Sequence, residues 1–301
     1  MTPGALNWIL LFSLAFIWGG SFLGVEIALR DFGPFVLVAG RIVLGAVTLL
    51  GIAYARGLRL PGFADATERK VWRHCLGMAL FSNALPFMLI SWGQQSVTSS
   101  FAGIAMAAVP LFVLPIAHFI LPGERMGLFR VVGFLLGFAG VVVLAGLPVA
   151  GDGAVNNLAR LACIAGSACY AIGGIITRLT PPVHPLVFGS AALLIASVIM
   201  VPLALAIEGV PTEAGGAELL ALLYLGLLPT GIATLFLVRI VNTAGPVFLS
   251  LVNYMVPVNA VLIGWLVLAE PLPGSLLLSL GLILIGMAIS QWRHIRKLFG
   301  L

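Results

Sequence analysis

The 301 residues are 61% hydrophobic and only 8% charged, with a mean hydropathy of +1.18. A soluble domain carries about 25% charged residues, so this chain cannot cover a water-facing surface. The net charge of +5 comes from basic residues that stand singly between apolar runs, which excludes a nucleic-acid-binding patch. We therefore expect an all-α membrane protein that crosses the bilayer many times.

Ten stretches of the chain are long enough to span a bilayer, which takes about 20 apolar residues. Cutting the sequence at charges and at Pro/Gly clusters predicts spans at 6–29, 34–55, 73–94, 98–121, 127–148, 157–178, 183–206, 218–239, 245–268 and 273–292. The connections leave no room for a soluble domain. Any activity must therefore lie within the helix bundle.

The Lys and Arg residues predict how the spans are oriented. Ten spans bring both termini to one side, and twelve basic residues then lie on that side. Only Arg30 and Arg160 lie opposite, while Arg41 lies inside span 2. Because basic segments stay in the cytoplasm, the sequence predicts an inner-membrane protein with cytoplasmic N- and C-termini and a basic cytoplasmic tail over 293–301.

The two halves of the chain share a pattern. Pro110 and Pro257 are 147 residues apart, and Glu124 and Glu270 are 146 apart. Since each half holds five spans, an odd number, the second half enters the membrane the other way up. Inverted repeats of this kind place a site near the midplane, between the halves. The predicted five-helix repeats cover residues 1–148 and 157–292.

A further set of residues carries a family resemblance: Trp18-Gly19-Gly20 in span 1, Ser99, Ser100 and Ala102 in span 4, and the pairs Pro110 with Glu124 and Pro257 with Glu270. With this pattern the whole chain resembles the drug/metabolite transporter superfamily, specifically its ten-helix EamA-type exporters. In overall form it also looks like the YddG-type exporters of aromatic amino acids. The resemblance implies a cavity surrounded by spans 1, 3, 4, 6, 8 and 9, alternating access, and export of amino acids or related metabolites.

Ionisable groups within a membrane are costly and are therefore candidates for function. Arg41 lies about two turns inside span 2, too deep to reach the membrane surface easily. Its planar guanidinium suits a substrate carboxylate. The alternative is a structural role, in which Arg41 pairs with Glu26 near the end of span 1 or caps the carbonyls of a broken helix.

Amide and aromatic side chains in mid-span are the other candidates for substrate binding. Asn83 lies in span 3, Asn253 and Tyr254 lie in span 9, and Trp18 and Tyr170 occupy matched places in spans 1 and 6. Amides can bind the charged ends of an amino acid without a buried charge, and aromatic rings can stack on a substrate. The alternative for each of them is helix-to-helix packing.

Two pairs at matched positions are candidates for shaping or gating a pathway. Pro110 and Pro257 each remove a backbone donor, which predicts helix kinks. Glu124 and Glu270 lie at span ends on opposite faces. Each carboxylate is expected either to cap a helix or to act as a gate.

The sequence favours a secondary transporter with a small-molecule substrate. It contains no HExxH metal motif and no Walker motif, so no enzyme activity, catalytic residue, metal or cofactor is predicted. Proton antiport and facilitated diffusion both fit the few membrane carboxylates. The alternative function is a membrane-embedded lipid-handling or scaffold protein without solute transport. Besides the substrate, the expected partner is the lipid bilayer; the sequence defines no oligomeric state and is compatible with a monomer.

Overall fold

A computed structural model describes residues 4–121, 126–146, 154–211 and 213–292. Within these ranges the secondary structure is helical, and eight helices are long and apolar enough to cross a membrane. Two shorter apolar helices, α9 and α10, complete a ten-helix bundle. The helices are α1 (Ala5–Ala28), α2 (Pro34–Ala55), α3 (Ala66–Gln94), α4 (Ser99–Ile120), α5 (Leu128–Ala145), α6 (Ala154–Arg178), α7 (Pro185–Ile207), α8 (Gly216–Gly245), α9 (Val252–Leu268) and α10 (Gly274–Ser290).

The predicted fold class is confirmed: the chain is an all-α membrane protein whose ten helices form two inverted five-helix repeats. Three helices pack against their own counterparts, α2 on α7, α4 on α9 and α5 on α10. Helix α1 packs on α8 and α9, and its counterpart α6 packs on α3 and α4. Each of these helix contacts in one half therefore recurs between the counterpart helices of the other half.

The exact limits of the repeats, 1–148 and 157–292, stay predictions, and the predicted tail 293–301 lies outside the described residues. Ten antiparallel helices return the chain to the side on which it starts. We call the side that holds Gly4 and Trp292 the terminal face, and the opposite side the distal face.

Two helix boundaries differ from the predicted spans. Helix α3 starts at Ala66 instead of 73, because Asp65 caps it by accepting a 2.7 Å hydrogen bond from the Glu68 N–H. Helix α8 runs past 239 to Gly245, whose φ of +86° ends the regular helix in a backbone conformation that favours glycine. Span 9 was expected to begin at 245, but its regular helix begins at Val252.

The two prolines act differently on their helices. Helix α4 is interrupted at residues 107–108, and Pro110 follows in the first turn of its second segment. Pro257 lies inside α9, which runs without interruption from Val252 to Leu268. The predicted break is thus found before Pro110, whereas in the second half the irregular backbone lies earlier, at Gly245 and at 250–251.

Helices α5 and α10 meet backbone to backbone through small residues. A Cβ atom added to Gly286 would lie 2.5 Å from the backbone N of Gly137 and 2.6 Å from the carbonyl oxygen of Gly133. Small residues allow this close approach, on which membrane helices rely for van der Waals packing. The pair joins the two halves of the bundle.

We expect Gly286→Ala to lower the free energy of unfolding by about 1–3 kcal/mol, because the added methyl group would overlap a backbone that cannot move aside cheaply. Thermal unfolding of the purified protein measures the effect. The matched control is Gly281→Ala on the same helix, where nothing lies within 4 Å of an added Cβ. Equal effects of the two substitutions would contradict this account of the helix pair.

Candidate functional site

Two π-helical segments interrupt the bundle at matched positions. The first is Ala79–Ala84 within α3, and the second is Gly226–Ile232 within α8. Their first residues are 147 apart, the same offset that separates Pro110 from Pro257. Single π turns are rare in helices and are found frequently at functional sites. The repeat therefore reproduces an irregular backbone as well as the sequence pattern.

Each π segment carries a polar side chain in the same place. In the first, Asn83 Nδ2 donates to the Met78 carbonyl at 3.1 Å. In the second, the Thr230 hydroxyl donates to the Leu225 carbonyl at 2.7 Å. Both bonds reach back five residues, and both side chains are buried. Asn83, a predicted site residue, thus stabilises its own π turn, and Thr230 is its counterpart in the second half.

Proline chemistry explains why Thr230 takes this position. Pro229 has no backbone N–H, so it cannot make the helical bond to the Leu225 carbonyl. The Thr230 hydroxyl donates to that carbonyl instead, which directs the hydroxyl's remaining lone pairs towards α2. A threonine in an apolar stretch carries little signal by itself; the signal that identifies it is its offset of 147 from Asn83.

Arg41 of α2 binds Thr230 in the interior of the bundle. Its Nε and Nη2 both donate to Thr230 Oγ1 at 3.3 Å. Its Cζ lies 3.8 Å from the centroid of the Phe87 ring, a cation–π contact with α3. Only 6% of Arg41 is exposed. The guanidinium is therefore held between the π segment of α8 and an aromatic ring.

Arg41 has no carboxylate partner among the described residues. The alternative pairing with Glu26 is wrong, because the guanidinium lies on Thr230 and Phe87 instead. Within the same ranges Nη1 forms no hydrogen bond, although a guanidinium carries five N–H donors. Buried cations in membrane proteins are usually paired. Arg41 consequently presents unused donors inside the bundle.

Aromatic side chains from other helices surround Arg41. Tyr170 lies with its ring centroid 6.3 Å from that of Phe87. Tyr224 donates from its hydroxyl to the Ile17 carbonyl at 2.8 Å, next to Trp18. The Trp18 indole in turn donates to the Pro229 carbonyl at 3.2 Å. We call this group the Arg41 cluster; it comprises Trp18, Arg41, Phe87, Tyr170, Tyr224 and Thr230.

The structure therefore brings together three of the predicted site residues, Trp18, Arg41 and Tyr170, and adds Phe87, Tyr224 and Thr230, which the sequence did not single out. The cluster draws on α2, which lies outside the set of cavity helices implied by the resemblance. Asn253 and Tyr254 lie in the first turn of α9, and no hydrogen bond joins them to the cluster within the described residues. The Tyr254 hydroxyl is buried without a partner there.

Glu270 caps helix α4 of the other half. Its carboxylate accepts hydrogen bonds from the backbone N–H groups of Ser99 and Ser100, at 2.8 and 3.0 Å, and from the Ser100 hydroxyl. The site is buried, with Glu270 8% exposed. A carboxylate is favourable at a helix N-terminus because it meets free N–H groups and the positive end of the dipole. Glu124, its counterpart by sequence, lies outside the described residues.

Glu26 lies beside this cap, near the distal face. Its neighbours are the Gln94 amide, the Glu270 carboxylate and the Arg30 guanidinium. Glu26 Oε2 and Gln94 Oε1 are both buried without a hydrogen-bond partner in the described part of the chain. Both atoms are hydrogen-bond acceptors when Glu26 carries its charge. Glu26 is thus separate from Arg41 and belongs with Glu270.

Two cavities open at opposite ends of the bundle. One of about 250 Å³ lies at the terminal face, and the other, of about 220 Å³, lies at the distal face next to the Glu270 cap. The distal cavity is lined by residues of the α3–α4 connection, α4, α6, the α9–α10 connection and α10, among them Thr98, Asn156 and Pro271. The Arg41 cluster occupies the bundle interior between these two ends.

Comparison with known proteins places the chain among membrane carriers. A family model described as the EamA-like transporter family matches it twice, over residues 6–146 and 157–291. The chain is similar to the uncharacterized transporter YoaV of Bacillus subtilis, with 22% identity over 95% of this chain and 97% of that protein. It is also similar to the uncharacterized inner membrane transporter YedA of Escherichia coli, with 25% identity over 93% and 88%.

Two further likenesses were found, one to a curated protein and one to a solved structure. A Streptantibioticus cattleyicolor protein named as a probable terminal-alkyne amino-acid exporter is 24% identical over 96% of this chain and 94% of its own. A solved crystal structure superposes with a TM-score of 0.68 at 23% identity, covering 98% of this chain and 99% of that one. The structural likeness shows the fold, which agrees with the ten-helix bundle.

Proposed function

Because the chain belongs to the EamA-like transporter family, and is thus a multi-pass membrane transporter, we propose that it is a secondary transporter that exports amino acids or related small carboxylates. We infer the substrate class from Arg41, whose Nη1 group forms no hydrogen bond with any described residue. A guanidinium recognises a carboxylate through two parallel hydrogen bonds. Arg41 is the residue to which we assign this contact.

The surroundings of Arg41 favour a substrate with an apolar or aromatic side chain. The aromatic members of the cluster come from four helices, and their rings can pack against such a side chain; they are Trp18, Phe87, Tyr170 and Tyr224. The Streptantibioticus cattleyicolor relative is named as an exporter of an amino acid, which supports the same class. The aromatic amino acids are therefore the first substrates to test.

We assign transport to alternating access between the terminal and distal faces. The support is that equivalent helix contacts recur in the two halves and that each half carries a π segment at the matched position. The twelve-to-two distribution of basic residues favours cytoplasmic termini, so that export runs from the terminal to the distal face.

Counterflow in proteoliposomes tests this function directly. Vesicles preloaded with each of the twenty amino acids are diluted into the same labelled compound, and accumulation is measured. We expect accumulation of one or more apolar or aromatic amino acids, and none of the matching amino acid amides, which lack the carboxylate. If none of the twenty accumulates and none raises the unfolding temperature, the lipid-handling or scaffold function is favoured instead.

An imposed pH gradient distinguishes proton antiport from facilitated diffusion. Under proton antiport, an outside-acid gradient changes the rate, and Glu26→Gln removes that response because the amide cannot take up a proton. Under facilitated diffusion, the gradient has no effect on either protein. Glu208→Gln is the matched control, since Glu208 is an exposed carboxylate at the start of α2.

Thr230→Val is expected to lower the transport efficiency by about tenfold or more. Transport efficiency is the maximal transport rate divided by the substrate concentration that gives half of that rate. The substitution keeps the shape but removes the oxygen that accepts both hydrogen bonds from Arg41, and a hydrogen bond to a charged group contributes about 1.5–3 kcal/mol. Counterflow rates across a substrate series measure it. Thr230→Ser keeps the hydroxyl and should retain most of the transport; equal losses in both variants would contradict the role of the hydroxyl.

A further inference from the structure

The cavity at the terminal face is basic and has no acidic lining residue among those described. It measures about 250 Å³ and lies where the end of α2, the start of α7 and the last third of α8 meet. Its polar lining comes from Arg56, His184, Arg239 and Asn242, and its apolar lining from Leu186, Leu235 and Val238. The cavity is therefore built for a ligand with a negative group and an apolar part.

Both arginines have donors to spare. Within the described residues, neither the Arg56 nor the Arg239 guanidinium forms a hydrogen bond or an ion pair, although they line the same cavity from different helices. Two guanidinium groups converging on one space repel each other unless an anion lies between them. Their planar N–H donors match the oxygen atoms of phosphate as well as those of carboxylate.

His184 supplies a further donor of fixed identity. Its Nδ1 accepts a hydrogen bond from the Leu186 backbone N–H at 3.2 Å and so caps helix α7. A ring nitrogen that accepts carries no proton, so the neutral ring holds its proton on Nε2. His184 therefore offers a donor at the start of α7, where the helix dipole also favours an anion.

The position of the cavity identifies the source of the anion. It lies at the helix ends, which is the depth of the lipid headgroups, and its apolar lining belongs to membrane-spanning segments. Basic pockets between membrane helices are known to bind anionic lipid headgroups. We propose that this cavity binds the phosphate headgroup of an anionic phospholipid, whose acyl chains lie along α7 and α8.

Native mass spectrometry of the full-length protein tests this proposal. The purified protein is titrated with phosphatidylglycerol and, separately, with zwitterionic phosphatidylcholine. The double variant Arg56→Gln/Arg239→Gln is compared with Arg59→Gln/Arg73→Gln, which removes the same charge from exposed positions outside the cavity. We expect the wild type and the control variant to prefer phosphatidylglycerol, and the cavity variant to lose about tenfold or more of its affinity for that lipid.

Three outcomes would overturn the proposal. Equal losses in the two variants would show a general effect of surface charge, and equal binding of the two lipids by the wild type would show no headgroup recognition. Inorganic phosphate or glycerol phosphate that displaces phosphatidylglycerol at millimolar concentration would assign the site to a free anion. Arg56→Lys/Arg239→Lys keeps both charges and serves as the cavity variant if the glutamine protein does not fold; it should retain preference for phosphatidylglycerol but bind it more weakly.

Discussion

Arg41→Met is expected to reduce transport efficiency roughly 30-fold or more without lowering the unfolding temperature of the empty protein. The loss follows because removing one partner of a buried charge contact costs about 2–5 kcal/mol. Stability is spared because Arg41 is buried without a carboxylate, and an apolar side chain of similar length removes the desolvation cost of that charge. Counterflow and thermal unfolding on the same preparation measure the two effects.

A loss of transport without a loss of stability distinguishes substrate binding from structural support. If Arg41 were purely structural, Arg41→Met would lower both transport and stability. Arg41→Lys would then restore both, because the lysine ammonium keeps the positive charge. A carboxylate-binding arginine is only partly replaced by lysine, which lacks the planar pair of donors. Arg59→Met, at an exposed position on the terminal side, is the control and should change neither quantity.

Glu270→Ala is expected to lower the free energy of unfolding by several kcal/mol. The substitution leaves the Ser99 and Ser100 N–H groups and the Ser100 hydroxyl without their acceptor in a buried site. Each buried polar group that loses its partner costs about 1–3 kcal/mol. Reversible unfolding in mixed detergent micelles measures the change.

The chain provides its own matched control for this cap. Glu208 accepts hydrogen bonds from the backbone N–H groups of Phe35 and Val36, at 3.1 and 2.8 Å, in the same arrangement at the start of α2. That site is exposed, so water replaces the carboxylate, and Glu208→Ala should cost no more than about 1 kcal/mol. Comparable losses at the two sites would show that burial does not set the strength of the cap.

The two roles predicted for Glu270 also separate in this experiment. A capping carboxylate is replaced in part by Glu270→Gln, because the amide oxygen still accepts a hydrogen bond, so stability recovers and transport follows it. A gate that depends on charge would remain impaired in Glu270→Gln after stability had recovered. We expect the first result, since all three donors that reach the carboxylate are neutral groups of α4.

Much of the fold could be predicted because the bilayer imposes it. Membrane helices must satisfy every backbone group internally and match the thickness of the hydrocarbon core, so long apolar runs identify them. The helix limits that differ from the predicted spans lie outside the hydrocarbon core, where the bilayer no longer imposes this constraint. The first turns of α3 are polar and extend outside the apolar run, and the end of α8 depends on the backbone angle of one glycine.

The site was less predictable because its contacts join distant parts of the chain. Arg41 stands out in the sequence as a charge inside an apolar span, but its partner Thr230 is 189 residues away and no local pattern indicates it. Glu270 was placed at a span end, yet nothing local indicates that it caps α4, 170 residues earlier. Pro229 indicates an irregular backbone in α8, but it does not indicate the role of Thr230, which becomes visible only when the offset of 147 is applied to Asn83.

The matched π turns also bear on how the two halves of the chain arose. A π turn contains one residue more than the α-helix that it interrupts, so it arises most simply by insertion of a single residue. Ala79–Ala84 and Gly226–Ile232 begin at the same offset as the proline pair. One insertion in an ancestral five-helix unit, followed by duplication, accounts for both, whereas the reverse order requires the same insertion twice.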